Sequence, residues 1–139
     1  MTAPSPERLA IRYAGIVLAV AGVVSAVGLF KRAVLPPNAL PGLFIGLGLA
    51  VLGALSWLGG AAWGARRGMH ALMAVVVLGI LGRLVIYSAT LVYVAIGTGV
   101  SLAWTGGALA GSSMIFIVLE VLYALRALGG GAGTGARTP

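Results

Sequence analysis

Four long stretches of this chain are almost free of charge, and that pattern leaves few folds open to it. They run from about Tyr13 to Phe30, Gly42 to Trp63, Ala71 to Ile96 and Ala108 to Leu125, and only Arg83 and Glu120 bring a charge into them. A membrane-spanning helix needs about 20 consecutive apolar residues, so each stretch reads as one transmembrane helix. The expected fold is therefore an all-α membrane protein with four transmembrane helices. Residues 1–128 would form a single domain, and 129–139 a flexible Gly-rich tail. Composition agrees: 60% of the 139 residues are hydrophobic and 8% are charged, whereas soluble domains carry about 25% charged residues.

The two interior charges then need an account. A charge in hydrocarbon costs at least about 2.5–3.5 kcal/mol on insertion scales, so such residues are rarely present without a partner or a task. Gly97, Gly99, Gly106 and Gly107 bracket an expected turn centred near Leu102. Arg83 precedes Gly97 by nearly the same stretch of chain as that by which Glu120 follows Gly107. In antiparallel helices rising ~1.5 Å per residue, both charges would sit about 20 Å from that turn. The spacing predicts a buried inter-helix ion pair, Arg83 with Glu120. Around it, Tyr87 shares the face of Arg83 at i+4, and Tyr123 follows Glu120 at i+3. Ser88, Thr90, Tyr93, Ser112 and Ser113 lie further toward the turn. Such a row can complete the hydrogen bonding of a structural pair, since Arg has five N–H donors to place. A charge for docking a partner and an ion or proton path are the other two readings.

The net charge of +7 would suit nucleic acid if the basic residues formed a patch. Instead they punctuate the segment ends. Arg8, Arg12, Arg66, Arg67, Arg126 and Arg137 fall on one side of a four-helix topology, and Lys31 and Arg32 on the other. Positive residues favour the cytoplasmic side, so both termini are expected there, in a bacterial cytoplasmic membrane, with no nucleic-acid partner. Arg8 and Arg12 before an apolar run also resemble a signal peptide. The run from Tyr13 to Phe30 is longer than the usual signal core of about 7–15 residues, which favours a retained helix.

The connections follow from local chemistry. Pro36, Pro37 and Pro41 remove backbone donors and fix φ, predicting a short extended link between the first two helices. Gly64 to Gly68 are expected to form a tight basic turn. The third segment, Met69 to Ile96, would be ~42 Å as a helix against a hydrocarbon core of about 30 Å, so it must tilt or project. Glycines four apart (Gly42/Gly46, Gly60/Gly64/Gly68, Gly107/Gly111) allow close helix approach, read first as internal packing. Trp57, Trp63 and Trp104 near segment ends are read as interface anchors.

The chemical inventory is small. The chain has no Cys, so thiol catalysis, disulfides and thiolate metal sites are excluded. His70, the only histidine, follows Arg66-Arg67 in what reads as a loop, and Glu7 and Glu120 are the only acids. Ser112 and Ser113 have no histidine partner and read as inter-helix or back-bonding hydroxyls. No phosphate loop, HExxH or deaminase pattern occurs. No catalytic constellation, cofactor, metal site or small-molecule substrate is expected.

The stretches Gly79-Ile80-Leu81-Gly82-Arg83-Leu84-Val85-Ile86-Tyr87 and Met114-Ile115-Phe116-Ile117-Val118-Leu119-Glu120-Val121-Leu122-Tyr123-Ala124-Leu125-Arg126 resemble the ATP synthase subunit I family. The resemblance spans about Arg66 to Arg126. It implies a small four-helix accessory protein of the F-type ATP synthase that helps assemble the c-subunit ring. Arg83 would then be the family's third-helix arginine, and Glu120 has no assigned counterpart. The Pro36-Pro37 loop and the Gly-rich tail are not family features. Two other readings compete. One is a small four-helix transporter or channel, although small multidrug exporters carry a Glu in the first helix and Tyr13 to Phe30 has no acid. The other is a structural subunit of a respiratory or photosynthetic membrane complex.

Overall fold

A computed structural model describes residues 5–129 as four helices. They are α1 (Pro6–Phe30), α2 (Ala39–Arg67), α3 (Met69–Gly97) and α4 (Leu102–Gly129), with no strand among the described residues. Each is long and apolar enough to cross a membrane. Gly129 closes α4, and the rest of the expected tail lies outside the described residues.

The first, second and fourth helices begin earlier than the apolar runs alone suggest, and the third begins at Met69 as expected. Pro6 stands in the first turn of α1, where its missing N–H is not needed, and Glu7 beside it favours the positive end of the helix. Pro41 is tolerated in the first turn of α2 for the same reason. The link before it is not extended. Successive turns close it, with Val34 N–H donating to the Lys31 carbonyl and Ala39 N–H to the Pro36 carbonyl, both at 2.9 Å.

The basic turn expected over Gly64 to Gly68 shrinks to Gly68, whose φ of 104° reverses the chain in one residue. Gly64 stays helical and lies against the α3 backbone, where a Cβ would come 3.0 Å from Leu72 Cα. Likewise the turn expected over Gly97–Gly107 contracts to Thr98–Ser101. Thr98 Oγ1 donates to the Val94 carbonyl at 3.2 Å, Gly99 takes φ 58°, and Ser101 Oγ accepts from Trp104 N–H at 3.5 Å. Gly106 and Gly107 are therefore helical residues of α4.

At the centre of the bundle lies α2. It packs most extensively against α4, then against α3 and α1, while α3 and α4 touch little and α1 and α3 not at all among the described residues. The α2–α4 seam explains the order. These helices run the same way, and Ser101 N–H donates to the Asn38 carbonyl at 3.2 Å where they start. A Cβ on Gly42 would sit 2.8 Å from Thr105 Oγ1 and 2.9 Å from the Ser101 carbonyl, and one on Gly46 would run into the Thr105 carbonyl. Two hydrogens in place of side chains let the backbones meet, the small-xxx-small device of helix association in lipid. Below this seam the core holds Val17 of α1, Phe116 and Tyr123 of α4 and Trp57 of α2. Tyr123 is edge-on to Tyr13 at 5.8 Å and to Trp57 at 6.1 Å between ring centroids. Trp57 is thus a core residue and not an interface anchor.

The third helix is different in kind. Only Leu72 and Val94 of its 29 residues are buried, near its two ends. Between them Val77, Leu78, Ile80, Leu81, Leu84, Val85 and Ile86 all face outward.

Candidate functional site

Arg83 stands at the midpoint of α3, equally far from Met69 and from Gly97. Its side chain turns inward, to α4 and α2. Nη1 donates to one Glu120 oxygen at 2.8 Å, and Nη2 donates to the other at 2.5 Å and to the Gly53 carbonyl at 2.5 Å. The expected ion pair is thus present, in bidentate form, with the arginine side chain 16% exposed and the glutamate 8%. A third partner, the Gly53 carbonyl of α2, was not read from the sequence. It is available because Gly53 has no side chain: a Cβ there would lie 2.5 Å from the Tyr87 hydroxyl and 3.2 Å from Arg83 Nε.

The geometry behind the pair is not the one expected. Arg83 is halfway along α3, but Glu120 stands well past the middle of α4, further from the turn that joins them. The offset is about one helical turn, or ~6 Å of rise, and α3 and α4 are not close neighbours. The long arginine side chain absorbs both differences. It reaches past α2, taking the Gly53 carbonyl on the way.

The supporting residues divide. Tyr87, Ser88 and Ser113 line one groove with Arg83 and Glu120, a space of about 570 Å³ between α3 and α4. A second groove of about 470 Å³ opens on the other side of Arg83, between α2 and α3, and Tyr87 and Trp57 line both. Ser113 Oγ, beside the α3–α4 groove, is buried without a hydrogen-bond partner among the described residues. Tyr123 is fully buried, among Tyr13 and Trp57. Ser112 is buried outside the groove, Thr90 bonds back to the Ile86 carbonyl at 2.9 Å, and Tyr93 is exposed. The expected polar row is therefore a cluster about the ion pair, with Thr90, Tyr93 and Ser112 apart from it.

Two further features escaped the sequence reading. Glu7 lies in the first turn of α1 and pairs with Arg66, tying the start of α1 to the end of α2. The signal was available: it is the only other acid, and antiparallel helices bring those ends together. Arg67 lies over the Trp63 ring at 4.3 Å, so Trp63 carries a cation at the helix end. His70 is in the first turn of α3 and exposed, not in a loop.

Chemically, both Glu120 oxygens are engaged by one guanidinium, and the pair is neutral as a unit. Among the described residues no three His, Cys, Asp or Glu side chains come together. Comparison with known protein families, with curated proteins and with solved structures gives no match.

Proposed function

We propose that the chain is a multi-pass protein of the bacterial cytoplasmic membrane, with both termini cytoplasmic, that acts without catalysis by binding other transmembrane helices. One observation carries this reading: a full-length apolar helix, α3, leaves most of its surface outward yet is held by a bidentate polar tether at its midpoint. Lipid contact alone would not require a tether that costs desolvation of two ions. A helix presented to another protein gains from one, because a fixed position lowers the ordering cost of binding. Outward apolar residues on all four helices suit an integral membrane protein.

The partner we propose is the c-subunit ring of an F-type ATP synthase, whose assembly the protein would assist. Support for that partner is the resemblance of the Gly79–Tyr87 and Met114–Arg126 stretches. The family's arginine stands near the start of the third helix, whereas Arg83 stands at its middle, so the partner rests on the two stretches as a whole rather than on that residue. The test is deletion with and without restoration of the chain. The expected result is co-purification with c-subunit oligomers, and a lower ring yield on deletion at unchanged turnover per assembled enzyme. Normal ring assembly with loss of a solute flux would replace this reading with the transporter one. Co-purification with a respiratory or photosynthetic complex would point to a structural subunit instead.

A further inference from the structure

We infer that the groove between α1 and α2 at the arginine-rich end of the bundle binds an anionic phospholipid, with an acyl chain in the groove and the phosphate on Arg67. The groove measures about 530 Å³, and Ala10, Ile11, Gly59, Ala62 and Trp63 give it a mainly apolar wall. Gly59 faces open space, since a Cβ there would meet nothing within 4 Å. Glu7 and Arg66, paired with each other, complete the lining.

The charge at this end is uncompensated. The Glu7–Arg66 pair and the Tyr13–Tyr123 contact bring the start of α1 and the ends of α2 and α4 together. Arg8, Arg12, Arg66, Arg67 and Arg126 therefore share one end, where Glu7 is the only acid among the described residues. Arg66 matches Glu7. Arg67 lies over the Trp63 ring at 4.3 Å, on the groove wall, with no acidic partner among the described residues. A guanidinium stacked on an aromatic face keeps its in-plane N–H groups free, and that fork meets a phosphate bidentately. Arg8 and Arg12 are exposed beside Glu7 and Ile11 and add to the field.

Depth favours a lipid over a soluble anion. The 29 residues of α2 rise ~43 Å against a hydrocarbon core of about 30 Å. Given the membrane placement proposed above, on which this inference rests, the last turn of α2 enters the headgroup layer. Arg66 and Arg67 then stand level with lipid phosphates, Trp63 at the interface where aromatic rings gather, and Gly59 beside the acyl chains beneath. A soluble anion would use the arginines and leave the apolar wall uncovered. A zwitterionic lipid would cover the wall and leave the charge. An anionic phospholipid does both, and basic residues at the membrane surface attract such lipids.

The experiment reconstitutes the full chain in phosphatidylcholine vesicles with a minor component brominated in the upper acyl chain, either phosphatidylglycerol or phosphatidylcholine. Trp63 is the reporter, its signal taken as the difference from the Trp63→Phe protein. Flotation with the vesicles is scored first, and failure to float overturns both the membrane placement and the site. In floating protein, brominated phosphatidylglycerol should quench Trp63 with a preference of about five-fold or more over brominated phosphatidylcholine. Arg67→Gln should lower that preference about five-fold, one surface arginine's worth. Gly59→Leu, whose side chain enters the groove, should lower quenching by both lipids, and Gly48→Leu, which faces open space elsewhere on α2, should change nothing. Equal quenching by the two lipids would mean that the groove takes any acyl chain. Equal losses from Arg67→Gln and Arg126→Gln would mean a diffuse positive field. Either result would overturn the site and leave the membrane placement standing.

Discussion

At the scale of single residues, the molecule turns on what Arg83 exchanges for water. Attraction to Glu120 is strengthened in a low dielectric, yet desolvating both ions offsets much of it. Removing one member leaves the other unmatched, a loss of about 3–5 kcal/mol in the buried-pair limit. The residual exposure of both side chains puts the expectation at the lower end. Arg83→Gln and Glu120→Gln should therefore each lower the unfolding midpoint in detergent, and the double change should recover part of the loss. Strictly additive losses would show that the two side chains do not interact. Gly53 gives an independent check. Gly53→Ala would press on the Tyr87 hydroxyl and Arg83 Nε, at a cost of about 1–3 kcal/mol for an overpacked site. Removing the obstructing oxygen with Tyr87→Phe in that background should restore part of the stability. If Tyr87→Phe makes the Gly53→Ala protein no better, the tether is not built as described.

At the scale of helices, glycine spacing was informative about contact but not about which contact. Gly42/Gly46, Gly60/Gly64/Gly68 and Gly107/Gly111 look alike in sequence. In the fold the first pair forms the α2–α4 seam, Gly60 and Gly64 admit α3, Gly68 makes a turn, and Gly107 and Gly111 face open space. Spacing reports a smooth face, while the helix that covers it is decided by the whole packing arrangement. The series predicts a contrast. Gly46→Val drives a side chain into Thr105 and Leu109 backbone that cannot move aside, so a loss of about 3 kcal/mol or more is expected. Gly111→Val should fall within about 1 kcal/mol of wild type, the propensity scale. Equal losses in thermal unfolding would contradict the seam. Helix number and type were legible because apolar runs of this length admit little else. Helix ends were not, because Gly64, Gly106 and Gly107 look like turn residues until their neighbours are known. The Arg83–Glu120 pair was found for a partly wrong reason: two interior charges constrain each other, but the equal depths assumed for them are unequal, and side-chain length made up the difference.

For the molecule as a whole, the membrane placement proposed above raises the question of which end of the bundle would face the cytoplasm. Glu7 pairing with Arg66 shows that α1 starts where α2 ends, and Tyr13, Trp57 and Tyr123 gather toward that same end of α1, α2 and α4. Arg8, Arg12, Arg66, Arg67 and Arg126 therefore belong to one end, and Lys31 and Arg32 to the other, in the α1–α2 link. Since basic residues in short flanks are retained in the cytoplasm, a reporter fused after Pro139 should report cytoplasm, and one inserted at Pro37 should report the opposite side. The stronger test removes the cause. Replacing Arg8, Arg12, Arg66 and Arg67 with Asn leaves Arg126 and Arg137 on one side against Lys31 and Arg32 on the other. With the bias gone, both reporters should show mixed populations. Restoring Arg66 and Arg67 should return a single orientation without touching the helices themselves. A uniform orientation in the four-Asn variant would mean that something other than basic-residue asymmetry, such as the order in which the helices pack, sets the topology.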